Sequence, residues 1–246
     1  MIDSRSKLFK LGSRLRVNSS RIYLTQFAVD ASNSIAPDSK VLDAGAGDCV
    51  YQRHFSAHRY ESADFCQVEK EYGRIDYVCD LTHLPIEDAR FDLVFCSQVL
   101  EHLPEPAAAL REFNRVLKPG AVLWLSAPFF YLEHEQPYDY YRYTQFGLRH
   151  LLESSGFEVE RVDWLEGYCS TLAYQLEVAA VSLPIKPSHF GGGPVGYLTS
   201  LVSLLIKPLF IALSLLYSRV DRRHKFTDAG LCKNYAIVAR KPKVTR

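Results

Sequence analysis

The sequence predicts an α/β fold built on a mostly parallel sheet, and three observations carry that expectation. Short apolar strands alternate with helical stretches across residues 20–165, as βαβ units require. The stretch VLDAGAGDCVY at 41–51 places Gly45 and Gly47 directly after an apolar run, where backbone without a Cβ lets a ligand approach closely. Asp43, Asp64 and Asp80 fall at the ends of three successive strands, the edge at which such sheets bind ligands.

The elements follow in order. A leading helix over 20–34 carries Ile22, Leu24, Phe27, Ala28 and Ala31 as its apolar residues. Lys40–Ala44 is the first strand, Tyr51–His58 a helix, Tyr60–Phe65 the second strand and Ile75–Leu81 the third. The crossover between the second and third strands is too short for a full helix. Phe91–Cys96 is the fourth strand, and the helix after it, from Pro106 to Leu117, is stopped by Lys118-Pro119-Gly120. Ala121–Ala127 is the fifth strand. Thr144 has the chemistry of an N-cap for a helix ending near Gly156. Val159–Trp164 and Tyr235–Ala239 are the sixth and seventh strands.

Composition is that of a globular protein, 48% apolar and 23% charged. A net charge of +1 hides an asymmetry. Residues 1–21 hold six Lys/Arg against one acid and residues 219–246 nine against two, so the body between carries −11. Basic ends suit an anionic surface or are solvated tails. The six cysteines form no CxxC pair and read as buried thiols of a reducing, cytoplasmic compartment, with no metal site. The N-terminus has no apolar run of the secretory kind. His54 and His58 share a face of a predicted helix, but no third ligand accompanies them.

The glycine loop is not a phosphate cradle. GxGxxG fails at Val50, GxxxxGK[ST] is absent, and Asp43 would repel a pyrophosphate. Asp43 instead suits a cationic group. Asp64, 21 residues on, suits ribose hydroxyls, and Asp80 an exocyclic amine such as that of adenine. An amine, a ribose and an adenine without phosphate describe S-adenosylmethionine.

The stretches VLDAGAGDCVY, CDLTHLP, FDLVFCSQVLEHLPEP and EFNRVLKPGAVLWLSAP resemble successive motifs of class I S-adenosylmethionine-dependent methyltransferases, in the type 11-like branch that modifies small molecules and glycans. The resemblance covers about 38–165 and the last strand. It implies a doubly wound, seven-stranded sheet of order 3-2-1-4-5-7-6 with the last strand antiparallel. It also implies Asp43, Gly45 and Gly47 at the methionine moiety, Asp64 at the ribose, and Asp80 with Leu81 at the adenine, with Ala44 and Phe65 among the cofactor-binding residues. Gln98 and Val99 lie where relatives touch the cofactor. Cys49 departs from the pattern, standing where many relatives have a third glycine.

Methyl transfer asks the protein to align acceptor and cofactor and to accept a proton. His102 follows the fourth strand. The loop PFFYLEHEQPYDYYRYT at 128–144 follows the fifth, with His134 as the leading base and Asp139 beside it. Tyr131, Tyr140, Arg142 and Tyr143 are expected to face the acceptor, since rings interleaved with polar groups suit a sugar. Otherwise the loop is a lid, with Arg142 pairing Asp139. Similar loops occur in methyltransferases resembling those of bacterial polysaccharide and glycolipid assembly. Nucleic acid is not an expected partner, because the acidic body repels phosphates and CSQVLEH lacks the motif of base methylators.

The expected organisation is one domain: a basic segment and leading helix at 1–37, a cofactor core at 38–166, an apolar helical insertion at 167–233 and a final strand at 234–242. In the insertion, Tyr197–Tyr217 is long enough to span a bilayer, but Lys207 and Pro208 sit at its middle. Peripheral membrane contact through 197–225 is expected, with SRVDRRHK meeting anionic headgroups; a buried cap or a subunit interface is the other possibility. The predicted function is O-methylation of a glycan, glycolipid or polyprenyl-linked acceptor. A quinone or other lipophilic small molecule is the alternative acceptor, and a cofactor-binding scaffold the non-enzymatic one.

Overall fold

The structure, a computed structural model, describes residues 19–243; most of the basic N-terminal segment lies outside the described residues. The chain divides into two compact units. One comprises Ser20–Leu165 and the chain from Lys233 onward, the other Glu166–Cys232.

The first unit holds one seven-stranded sheet in the order β3-β2-β1-β4-β5-β7-β6. The strands are β1 Lys40–Ala44, β2 Arg59–Asp64, β3 Tyr77–Val78, β4 Phe91–Ser97, β5 Leu117–Pro128, β6 Glu158–Trp164 and β7 Asn234–Arg240. β1 to β5 run parallel, and β7 pairs antiparallel with both β5 and β6. Helix α1, Ser19–Asn33, buries Leu24, Phe27, Ala28 and Ala31 but leaves Ile22 44% exposed. Helices α2, Pro106–Val116, and α3, Gln145–Ser154, complete the unit. Thr144 caps α3 by accepting the Gly147 N–H at 3.1 Å. All six cysteines are free thiols.

The core is aromatic at its centre. The Phe95 ring on β4 lies 5.8 Å from Phe27, 5.4 Å from Tyr51 and 5.5 Å from Phe55. This cluster explains why the helix expected at Tyr51–His58 is only a 3₁₀ turn, Gln52–Phe55. Phe55 is fully buried, so the chain drops its ring into the core and then enters β2 at Arg59, with no length left for a second turn.

The third strand also shrinks, from an expected Ile75–Leu81 to Tyr77–Val78. The Asp76 carboxylate takes the Ser62 N–H at 2.9 Å and the Ser62 hydroxyl at 3.0 Å, so a side chain replaces the next rung of the ladder. At the other end Asp80 lies beyond the strand, in a turn where its Oδ1 accepts from the Thr82 N–H and hydroxyl. The fifth strand grows instead. Lys118-Pro119-Gly120 ends α2, but the chain becomes extended at once, and Gly120, at φ +82°, donates its N–H to Lys241.

In the second unit, helix α4, Tyr168–Ser182, and helix α5, Gly193–Asp221, are joined through a 3₁₀ turn at Pro187–Phe190. Asp221 Oδ2 accepts the Gly167 N–H at 3.2 Å, and Tyr168 N–H donates to Phe226 O, which closes the hairpin at its base.

Phe95→Ala should lose about 3–5 kcal/mol of folding stability, because the surrounding rings hold the cavity open. Urea denaturation of the variant beside the parent protein measures it.

Candidate active site

The site begins where β1 ends. Gly45 turns at φ +83°, and both Gly45 and Ala46 donate their N–H groups to Ala63 O on β2, at 2.8 and 3.2 Å. A Cβ on Gly45 would stand 2.3 Å from Val99 Cγ2. Gly47, at φ +54°, donates its N–H to Asp64 Oδ2 at 2.9 Å, and Cys66 N–H donates to Asp64 Oδ1 at 2.9 Å. Cys49, in the third glycine's place, holds φ +54°: the left-handed turn is kept although the residue is not glycine.

These turns open onto a cavity of about 400 Å³ at the carboxyl ends of the strands. Seven of the ten expected cofactor residues line it: Gly45, Asp64, Phe65, Asp80, Leu81, Gln98 and Val99. Asp43 and Ala44 are buried and Gly47 is partly exposed, and none of the three lines the cavity. Asp43 is 2% exposed and its Oδ2 accepts from the Tyr60 hydroxyl at 2.6 Å. Burial pushes its carboxyl up to about 7, against the pull of that hydrogen bond. Two groups escaped the sequence reading. Lys70 and Glu135 both line the cavity and pair at 2.9 Å. They are 65 residues apart; Glu135 sits in the loop at 128–144, beside His134, but nothing in the sequence pairs it with Lys70. Tyr138 also lines the cavity, with its ring edge-on to Phe65 at 5.4 Å.

On the acceptor side the two histidines come together, with ring centroids 4.6 Å apart. His102 lines the cavity and His134 packs behind it. The His102 Nδ1–H donates to Tyr138 O at 2.7 Å. Burial lowers the basicity of His102, the Tyr138 bond opposes this, and His134 adds to it. Glu101, fully buried, faces His102 Nε2 at 3.8 Å, and desolvation raises its carboxyl to about 8.

Three expected ligand-facing residues are built into the loop itself. Arg142 grips Asp139 through both nitrogens, at 2.6 and 2.8 Å, and donates to the carbonyls of Tyr131, Leu132 and Tyr141. Arg142 holds the Asp139 carboxyl down at about 2, so Asp139 braces the loop and is a poor base. Tyr143 is buried and donates to Leu100 O at 2.9 Å. Tyr131 and Tyr140 are exposed, and Tyr140 lines the cavity.

Residues 42–125 match the methyltransferase domain family. The chain is 34% identical, over 49% of its own length and 52% of the relative's, to a probable S-adenosylmethionine-dependent methyltransferase of Mycolicibacterium smegmatis. It is 29% identical, over 35% of its length and 42% of the relative's, to a ubiquinone biosynthesis O-methyltransferase of Coxiella burnetii. The chain thus spans about half, or less, of the length of these relatives. Its fold is similar to that of a 1,6-didemethyltoxoflavin N1-methyltransferase from Burkholderia thailandensis, with TM-score 0.54, 17% identity, and 92% of this chain and 79% of that one covered.

Asp43 sets a pH dependence. Its folded carboxyl titrates near 7, above the ordinary carboxylate value near 4 of an unfolded chain. The proton it holds stabilises the fold fully below that ordinary value, and the contribution is lost as pH rises through the folded value. Asp43→Asn should remove this loss, so the stability of the variant relative to the parent should rise between pH 5 and pH 8. Denaturation curves at both pH values test it; a constant difference refutes it.

Proposed function

The chain carries a class I S-adenosylmethionine-dependent methyltransferase domain, and on that footing we propose that it moves a methyl group from S-adenosylmethionine to a hydroxyl of a glycan, glycolipid or polyprenyl-linked acceptor at the cytoplasmic face of a membrane. The observation that carries the proposal is the cavity bounded by the Gly45 turn, Asp64 and Asp80, with His102 in its wall. S-adenosylmethionine supplies an electrophilic methyl group when bound, and the residues present suit it. The Gly45 turn gives close backbone approach. Each Asp64 oxygen accepts one backbone N–H and keeps lone pairs for ribose hydroxyls. Asp80 and Leu81 face the adenine. The acceptor hydroxyl loses its proton beside the cluster of Glu101, His102 and His134. The exposed rings of Tyr131 and Tyr140 offer stacking faces for a sugar.

The membrane part of the proposal rests on α5. This helix is long and apolar enough to cross a bilayer, yet only 17% of its most apolar stretch is buried. Its faces are reversed relative to a soluble helix. The buried residues are Gly196, Ser200, Ser203, Ser214, Ser218 and Asp221, while Leu198, Leu205 and Leu209 are 63%, 68% and 52% exposed. Small residues turned inward and leucines outward suit a helix packed against its partner in lipid. β6 and β7 pair with each other, so the chain enters and leaves the insertion from one sheet, which suits a hairpin lying in the interface. Arg222, Arg223 and Lys225 follow at headgroup level. A quinone-like acceptor is the second reading, favoured by the same apolar face and by the likeness to the ubiquinone O-methyltransferase.

Two outcomes are expected, and the product itself is sought by incubating the chain with methyl-labelled cofactor and a membrane extract. Asp64→Ala should weaken S-adenosylmethionine binding roughly tenfold or more, since a bond to a charged acceptor contributes about 1.5–3 kcal/mol; unchanged affinity by calorimetry removes Asp64 from the site. Replacing Leu198, Leu205 and Leu209 by Gln should abolish sedimentation with anionic vesicles and leave thermal stability within about 0.5 kcal/mol per site, as for exposed positions. A parent protein that ignores vesicles and elutes as a dimer would make this face a subunit interface.

A further inference from the structure

Glu101 is a buried acid whose side chain has no hydrogen-bond partner on any other residue. It lies in the 3₁₀ turn Leu100–His102 after β4, and its side chain is fully buried. A carboxyl so poorly satisfied is costly to keep inside a protein, and such a group calls for an explanation, an ion among them. The ligand atoms of Glu101, His102 and His134 all lie within 4.8 Å of one another.

The two imidazoles are presented as ligands present themselves. The His102 Nδ1 is 2.7 Å from Tyr138 O. A carbonyl only accepts, so this nitrogen carries the proton and Nε2 holds the lone pair. The His134 Nδ1 lies 3.3 Å from Asp139 Oδ2 and 3.2 Å from Leu132 O, both acceptors, which leaves its Nε2 in the same state. A carboxylate or carbonyl behind each imidazole fixes the tautomer and ring direction of a metal-bound histidine. The Asp139–Arg142 pair, bidentate and 3% exposed on the Asp139 side, holds that support in place.

We propose that Glu101, His102 and His134 bind one divalent transition-metal ion of the zinc class in the wall of the cavity. Two imidazoles and one carboxylate favour zinc or its neighbours over magnesium or calcium, and three protein ligands leave a position open. Resting on the methyltransferase reading, that position takes the acceptor hydroxyl. The ion withdraws charge from the oxygen, and the proton passes to water. The oxygen pair then forms the bond to the methyl carbon while the carbon–sulfur bond breaks, its electrons remaining on sulfur.

The test is direct binding. The full chain, stripped with a chelator and titrated with Zn²⁺ in a calorimeter, should take up one equivalent, and Co²⁺ in its place should give visible d–d absorption. Glu101→Gln and His134→Ala should each weaken Zn²⁺ binding by about tenfold or more, the scale at which even supporting residues act. His134 is partly exposed, so its variant keeps the fold if the Glu101 variant does not. Absence of Zn²⁺ uptake by the parent protein, or parental affinity in both variants, overturns the assignment. S-adenosylmethionine affinity, measured on the same samples, separates the two ideas. A parent protein that binds the cofactor but no Zn²⁺ defeats the metal site alone, and one that binds Zn²⁺ but no cofactor defeats the methyltransferase reading alone.

Discussion

At Gly45 the chain leaves β1 with φ at +83°, and the space a Cβ would need is already filled, Val99 Cγ2 lying 2.3 Å from that point. The loop after β4 is thus pressed directly against the loop after β1. The N–H groups of Gly45 and Ala46 tie the same turn to β2 through Ala63 O, and Gly47 N–H ties it to Asp64. Three strand ends are joined at one point, and the cavity is what remains between them. Any L-residue at Gly45 would have to bear left-handed strain of about 1–2 kcal/mol and displace Val99 as well, which would open the wall that carries Gln98 and His102.

The acceptor loop shows how an irregular segment is made rigid. A loop without ladder hydrogen bonds leaves carbonyls to be satisfied one by one. Arg142 meets three of them and clamps Asp139, and Tyr143 meets Leu100 O from below. The charged and aromatic residues of this loop divide accordingly: those with long polar ends hold the backbone, while Tyr131 and Tyr140 remain at the surface.

What was legible in the sequence was whatever the local backbone dictates. Gly45 and Gly47 had to turn, Asp64 had to end β2 and Thr144 had to cap α3. What was not legible depended on partners distant along the chain. Asp43 was expected to meet a ligand's cation, but the register that sets Val41 beside Tyr60 brings a hydroxyl onto its carboxylate and closes it in. β3 was overestimated because nothing local says that Asp76 will bond Ser62 instead of extending the ladder. Arg142 carries the composition of a sugar site, yet its pairing with Asp139 was the other reading of the same residues and is the one the structure holds; for Tyr143 only the fold shows that Leu100 O takes its hydroxyl. The small-residue stripe of α5 is a different case. Gly196, Ser200 and Ser203, then Ser214, Ser218 and Asp221, recur at helical spacing, so its inward face was present in the sequence for the reading.

The position of β7 between β5 and β6 bears on how the protein is made. Within the sheet, β6 touches only β7, and β7 follows the whole apolar hairpin in the chain. During synthesis, which runs from the N-terminus, β1 to β5 emerge and can assemble, while β6 leaves the ribosome as an unmatched edge, a surface open to pairing with the wrong chain. The leucine-rich face of α5 emerges next, before the last strand exists. The nascent chain therefore passes through an interval with both an open strand edge and an uncovered apolar helix, and the seven residues of β7 end the first of these exposures on arrival.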